Sequence, residues 1–182
     1  MSYSLTAKRL RLPLGFLFSA LYVVFATPTR SSLTVGAVVA AIGVAIRAWA
    51  SGHISKNQRL ATGGPYAHTR NPLYFGSFLI AAGFAVAAHW ALLLVVAGFF
   101  VAVYAPTMER ERANIASRFP AEYAEYAANV PAFFPRFLPW SGGRERDGRF
   151  SFALYMKHGE WKAALGFALA VAWLVFRVAA EF

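Results

Sequence analysis

Apolar residues in this chain come in long runs, with basic residues clustered between them. Five runs approach the length of a bilayer-crossing helix: residues 12–26, 31–50, 73–88, 90–106 and 163–180. A helix rises about 1.5 Å per residue, so about 20 mostly apolar residues cross a hydrocarbon core about 30 Å thick. The runs at 12–26 and 73–88 are slightly short, and flanking side chains such as Arg11 can extend them by reaching to the headgroups. Hydrophobic residues make up 58% of the chain and charged residues 14%. A soluble domain carries about a quarter charged residues. The expectation is one all-α domain over residues 1–182, polytopic in a membrane, with about five transmembrane helices.

Only His89 and its neighbours separate the third run from the fourth, so these two form a tight antiparallel hairpin. Lys8, Arg9 and Arg11 precede the first run as they would in a signal peptide, but that run lacks a small-x-small cleavage site and reads as an uncleaved helix. Basic residues sort the loops into two kinds. The N-terminus, residues 51–72 and residues 107–162 are rich in Arg and Lys, whereas the first loop has only Arg30 and the hairpin turn has no charge. The positive-inside rule then puts those three segments in the cytoplasm and the C-terminus outside, with a bacterial inner membrane as the expected compartment.

The 18 Lys and Arg against 8 Asp and Glu give a net charge of +10. Between apolar runs this charge points to anionic headgroups and topology, and there is no motif for reading RNA or DNA. The chain has no cysteine, which excludes disulfides and thiolate chemistry, and His53, His68, His89 and His158 show no metal-ligand spacing.

Two of the expected cytoplasmic segments carry chemistry. In the first, Gly63-Gly64-Pro65-Tyr66 makes a tight turn that exposes backbone donors and acceptors, and Arg70, Asn71 and Tyr74 follow where the third helix begins. Gly76, one turn further in, admits close approach by a neighbouring helix or a ligand. In the second, Glu109, Glu111 and Arg112 stand at the cytoplasmic end of the fourth helix. Because the hairpin turn lies on the far side, Arg70, Asn71, Tyr74, Glu111 and Arg112 converge on one site, or else they are flanking charges that anchor helix ends. Pro120 starts a short surface helix whose Tyr123 and Tyr126 share a face. A proline-stiffened strip from Val130 to Arg136 ends that helix, and residues 141–149 read as a charged linker.

The ordered pattern Gly64-Pro65-Tyr66, Arg70-Asn71-Pro72-x-Tyr74-x-Gly76, a helical hairpin, an acidic position, Phe119-x-x-Glu122-Tyr123-x-x-Tyr126 and Val130-Pro131-x-Phe133-x-Pro135 resembles the isoprenylcysteine carboxyl methyltransferases. The related phospholipid N-methyltransferases share part of it. The resemblance covers residues 52–136. It implies a membrane-embedded enzyme that takes S-adenosylmethionine from the cytoplasm and a lipid-like or lipid-linked acceptor sideways from the bilayer, with carboxyl O-methylation as the reaction.

By the same carry-over Gly64, Tyr66, Arg70, Asn71, Pro72, Tyr74, Gly76, Glu111 and Arg136 bind the cofactor, with Arg70, Asn71 and Glu111 as catalytic residues. The chain departs from the carboxyl methyltransferases in having Asn71 for His, Arg112 for the second acid of a pair, Pro120 for Gly and Ala132 for Arg.

The side chains suit that chemistry. A carboxylate such as Glu111 can bind the ammonium group of S-adenosylmethionine, and Arg70 can fork onto a carboxylate. The faces of Tyr66 and Tyr74 suit adenine and a positive sulfur. A carboxylate acceptor needs little acid–base help, whereas an amine must lose a proton, to His68 or Glu111. Three alternatives stay open: a phospholipid-amine N-methyltransferase, a membrane sterol reductase (usually a longer chain), and a non-enzymatic helical scaffold that binds a partner protein. Oligomerisation is open as well, because the Gly- and Ala-rich second helix can pack within one protomer or between two.

Overall fold

The computed structural model describes Pro13, Gly15, Tyr22 and residues 24–54, 60–142 and 149–180. Most of the first apolar run, 12–26, therefore lies outside the described residues, as do positions 143–148 of the expected linker. Among the described residues the ordered elements are helices: α1 (Arg30–Ser51), α2 (Pro72–Ala88), α3 (Leu92–Arg118), α4 (Pro120–Asn129), α5 (Phe152–His158) and α6 (Trp161–Ala180). Three of them, α1, α3 and α6, are long and apolar enough to cross a membrane, and α2 is a shorter apolar helix. The expected count of five spans is thus met in part.

Local sequence sets the helix boundaries. The Thr29 hydroxyl accepts from the Ser32 amide and the Ser32 hydroxyl accepts from the Thr29 amide, a reciprocal cap that starts α1. Pro72 starts α2 and Pro120 starts α4, where a missing N–H costs nothing. Ser151 caps α5, and Gly159 ends it in the left-handed region at φ 70°. The α5 helix lies beyond the 141–149 linker, in a part of the 107–162 segment where the sequence pattern predicts no element.

The α1–α2 pair is the centre of the fold, antiparallel and held at close range by small residues. A Cβ on Gly43 would lie 2.6 Å from the Gly76 carbonyl, and one on Gly83 would lie 2.6 Å from the Ala40 amide. No side chain fits there, so the two backbones touch, as small-residue stripes allow in membranes. At the end of the pair where α1 begins and α2 ends, Ala26, Leu33, Ala87, Ala88, Leu174 and Val178 form a buried cluster, and the Tyr22 hydroxyl donates to the Phe84 carbonyl at 2.9 Å.

The expected hairpin is present: α2 ends at Ala88, residues 89–91 turn, and α3 begins at Leu92. Midway along α3, residues Phe100–Tyr104 widen into a π-helical turn just before Pro106. Proline cannot donate to the preceding turn and its ring crowds it, which a wider turn relieves. The turn stacks the Phe100 and Tyr104 rings 4.3 Å apart and sets Tyr104 edge-on to Tyr74 at 5.5 Å.

Candidate functional site

Residues 66–71 and 131–140 run alongside each other, stitched by their backbones. The Arg70 amide donates to the Pro131 carbonyl at 2.9 Å, the Arg136 amide to the His68 carbonyl at 2.9 Å, and the Trp140 amide to the Ala67 carbonyl at 3.0 Å. Side chains complete the seam. Thr69 Oγ1 donates to the Phe133 carbonyl at 2.9 Å, Asn71 Nδ2 to the Ala132 carbonyl at 2.8 Å, and Tyr126 Oη to the Tyr66 carbonyl at 2.7 Å. The two motif segments that the sequence singles out separately therefore form one platform. It sits beneath the first turn of α2, with α4 packed on it through the buried Tyr123 and Tyr126.

Arg70 leaves this platform with its Nη1 donating to Tyr123 Oη at 3.0 Å. Its Nε is buried and makes no hydrogen bond among the described residues. A buried guanidinium N–H without an acceptor is costly, and an anionic group bound beside it would relieve that cost. One turn on, Tyr74 Oη donates to Glu111 Oε1 at 2.9 Å, joining the start of α2 to the far end of α3. The Glu109 carboxylate instead pairs with Arg112 one turn away, Arg112 Nε donating to Oε2 at 2.7 Å. Arg112 is thus committed to Glu109, and Glu111 is the acid that faces Tyr74.

The remaining expected site residues fall into two groups. Gly64, at φ 55°, lies over the His53 ring, where a Cβ would come within 2.7 Å of the imidazole, and Tyr66 and Pro72 are buried in the same platform. Gly76 faces α1: a Cβ there would lie 2.7 Å from both the Gly43 carbonyl and Arg47 Cγ. Of the two roles open to that glycine, helix approach is the one its surroundings show. Arg136 turns back to α4, its Nη1 donating to the Asn129 carbonyl at 2.8 Å. His68 Nδ1 lies 2.9 Å from the Arg136 carbonyl, so that nitrogen carries the proton and the ring is held in the seam.

One contact beside the candidate site has no signal in the sequence. Arg47, in the last turns of α1, forks onto Glu160 with Nε–Oε2 at 2.9 Å and Nη2–Oε1 at 2.7 Å. Its Nη1 also donates to the Leu73 carbonyl at 3.2 Å and to Ser77 Oγ. It thereby ties the first turn of α2, which carries Tyr74, to the start of α6.

The phospholipid methyltransferase family model matches residues 31–121, half of the chain, from α1 to the start of α4. The chain belongs to the phospholipid methyltransferase family. The family match takes in Arg70, Asn71, Tyr74 and Glu111, while the strip at 131–140 and Glu160 lie beyond it. Among curated proteins, the cobalt-zinc-cadmium resistance protein CzcN of Cupriavidus metallidurans is 38% identical over 113 residues, covering 60% of this chain and 52% of that protein. The nickel-cobalt-cadmium resistance protein NccN of Alcaligenes xylosoxydans xylosoxydans is 33% identical over 106 residues, covering 57% of this chain and 50% of that protein. The chain thus spans about half the length of the curated relatives it matches. No solved structure matches.

Proposed function

We propose that this family member is an S-adenosylmethionine-dependent methyltransferase whose acceptor is lipophilic and reaches the site from the bilayer. The observation that carries the reading is an exposed acid held by a tyrosine, Glu111 on Tyr74, with the tyrosine one helical turn along the chain from an arginine whose buried Nε lacks an acceptor among the described residues. S-adenosylmethionine has an ammonium and a carboxylate on one carbon, and it supplies a methyl group on a positively charged sulfur. Glu111 would hold the ammonium and Arg70 the carboxylate, while Tyr74 orients Glu111. Asn71 fixes the platform through the Ala132 carbonyl and keeps Arg70 in register. The face of Tyr74 suits the adenine or the sulfonium, whereas Tyr66 is buried within the platform and supports it. The residues then act by positioning the two reactants and excluding water.

Within this reading the acceptor arrives as a carboxylate, of the isoprenylcysteine type. A carboxylate acceptor needs no proton removed, and Glu111 is then left to the ammonium of the cofactor; an amine acceptor would need a base, such as Nε2 of His68, whose Nδ1 donates to a carbonyl. The family match favours a second reading, a phospholipid amine as acceptor. The relatives' names refer to metal resistance, which is said of those proteins. The basic segments at 51–72 and 107–162 support a site that faces the cytoplasm of a bacterial inner membrane.

The test is methyl transfer in vesicles. Purified protein is given methyl-labelled S-adenosylmethionine and lipids ending in either a prenylated cysteine carboxylate or an ethanolamine. Label in the carboxylate lipid as a base-labile ester supports the reading. Base-stable label in the amine lipid establishes the second reading, and label in neither, from folded protein, contradicts both.

A further inference from the structure

The strip that follows α4 has an unusual pairing of features. Its side chains are apolar and outward: Phe134 is 71% exposed, Phe137 101% and Leu138 74%. Three apolar groups so close together on an irregular loop are not typical of a water-facing surface. Its backbone is tied in part to the 66–71 segment, while the amides and carbonyls of Phe134, Phe137 and Leu138 make no such bond among the described residues. Pro131, Pro135 and Pro139 have no N–H to satisfy. The Arg136 and Trp140 amides donate to the His68 and Ala67 carbonyls. The carbonyls of Pro131, Ala132, Phe133 and Arg136 are taken by the Arg70 amide, Asn71 Nδ2, Thr69 Oγ1 and His68.

An irregular segment enters the hydrocarbon core only when its backbone is satisfied by protein, so the amides and carbonyls of Phe134, Phe137 and Leu138 restrict this strip to the interfacial layer, where headgroups and water can pair with them. It also packs against a spanning surface. The Phe133 ring packs 5.7 Å from Phe75 and 5.8 Å from Phe78 of α2, and 6.2 Å from Phe100 of α3. The strip is therefore packed through Phe133 against the apolar α2–α3 hairpin. Trp140, which closes it, is the residue type that favours the headgroup level.

We propose that residues 133–139 lie in the interfacial layer of the bilayer, with Phe134, Phe137 and Leu138 inserted among the lipids beside the platform that holds Arg70 and Asn71. The inference rests on the helices being membrane-embedded and not on methyl transfer, so it stands or falls separately from the activity. Its consequence is that the border of the candidate site on this side is lipid, and a lipid-borne acceptor would cross from the strip to Arg70 without passing through water.

The chain has no cysteine, so one introduced cysteine is a unique label site. Phe137→Cys and Leu138→Cys are labelled with bimane and placed in phosphatidylcholine–phosphatidylglycerol vesicles carrying a spin label near the headgroups. Leu169→Cys, an exposed position on α6, reports a lipid-facing span, and Glu125→Cys, exposed on α4, reports water. The account expects both strip positions to be quenched severalfold more strongly than position 125 and to approach position 169. It is overturned if both are quenched as weakly as position 125 while remaining open to aqueous iodide, which would place the strip in water. It is equally overturned if both are shielded from lipid and iodide alike, which would mean that a second copy or another protein covers them. Two strip positions are used so that misfolding of one variant does not decide the result.

Discussion

Tyr74 and Glu111 lie 37 positions apart, on opposite arms of a helical hairpin, and meet through a 2.9 Å hydrogen bond. The tight turn at 89–91 makes the meeting possible, because it returns α3 to the level at which α2 began. The π-helical turn then sets Tyr104 against the Tyr74 ring, so the phenol is held from the side as well as by its hydroxyl. Removing that hydroxyl tests whether Tyr74 orients Glu111. Tyr74→Phe is expected to keep the fold and weaken S-adenosylmethionine binding about threefold to tenfold, the worth of one hydrogen bond to a charged group at an exposed site. Titration calorimetry beside a melting curve in detergent reads both, and an unchanged affinity would remove Tyr74 from the site.

Arg70 is the residue for which charge alone should not suffice. Arg70→Lys keeps the positive charge but loses the planar fork and the bond to Tyr123 Oη. We expect at least a tenfold loss of S-adenosylmethionine affinity in Arg70→Lys. In Tyr123→Phe we expect the loss to be smaller, with a stability cost of about 1 kcal/mol. Equal behaviour of lysine and arginine at this position would show that the fork is not used.

The Arg47–Glu160 pair is mostly shielded, with side chains 23% and 13% exposed. Breaking such a pair from one side leaves an uncompensated charge, at a cost of about 2–4 kcal/mol once partial exposure is allowed for. Arg47→Met and Glu160→Leu should each lower the melting temperature in detergent, and the double variant should recover most of the loss. Additive losses would mean that the two residues are not coupled.

Glycine substitutions should separate packing from open surface. Gly83→Val puts a branched side chain where even a Cβ would sit 2.6 Å from the Ala40 amide, so the α1–α2 contact must part. Overpacking costs about 1–3 kcal/mol in cores able to adjust, and two touching backbones adjust less. A Cβ on Gly98 would meet nothing within 4 Å among the described residues, and Gly98→Ala should be neutral or mildly stabilising. Yield of folded protein by size-exclusion chromatography in detergent distinguishes the two, and similar yields would contradict the close contact.

The sequence made the helices that depend on local pattern legible. The runs at 31–50, 73–88, 90–106 and 163–180 each match a helix to within a few residues, apart from α3, which continues to Arg118 as Glu109 to Arg112 implied. Pro120 and the three-residue spacing of Tyr123 and Tyr126 located α4 and its buried face in the same way. Contacts set by distant segments were not legible. Glu160 is an acid in an unremarkable loop until α6 brings it to Arg47, 113 positions away. The seam between 66–71 and 131–140 is made largely of backbone groups, which every sequence possesses and none advertises. Gly76 could have faced either a ligand or a helix, and only the position of Gly43 decides between them.

The measurement that tests the central claim most directly is S-adenosylmethionine binding by titration calorimetry on detergent-purified protein, with wild type beside Arg70→Ala and Glu111→Ala. The account predicts saturable binding by wild type that is lost or weakened at least tenfold in both variants, with melting curves showing that all three remain folded. Absence of binding by folded wild type, or full affinity in both variants, would contradict it.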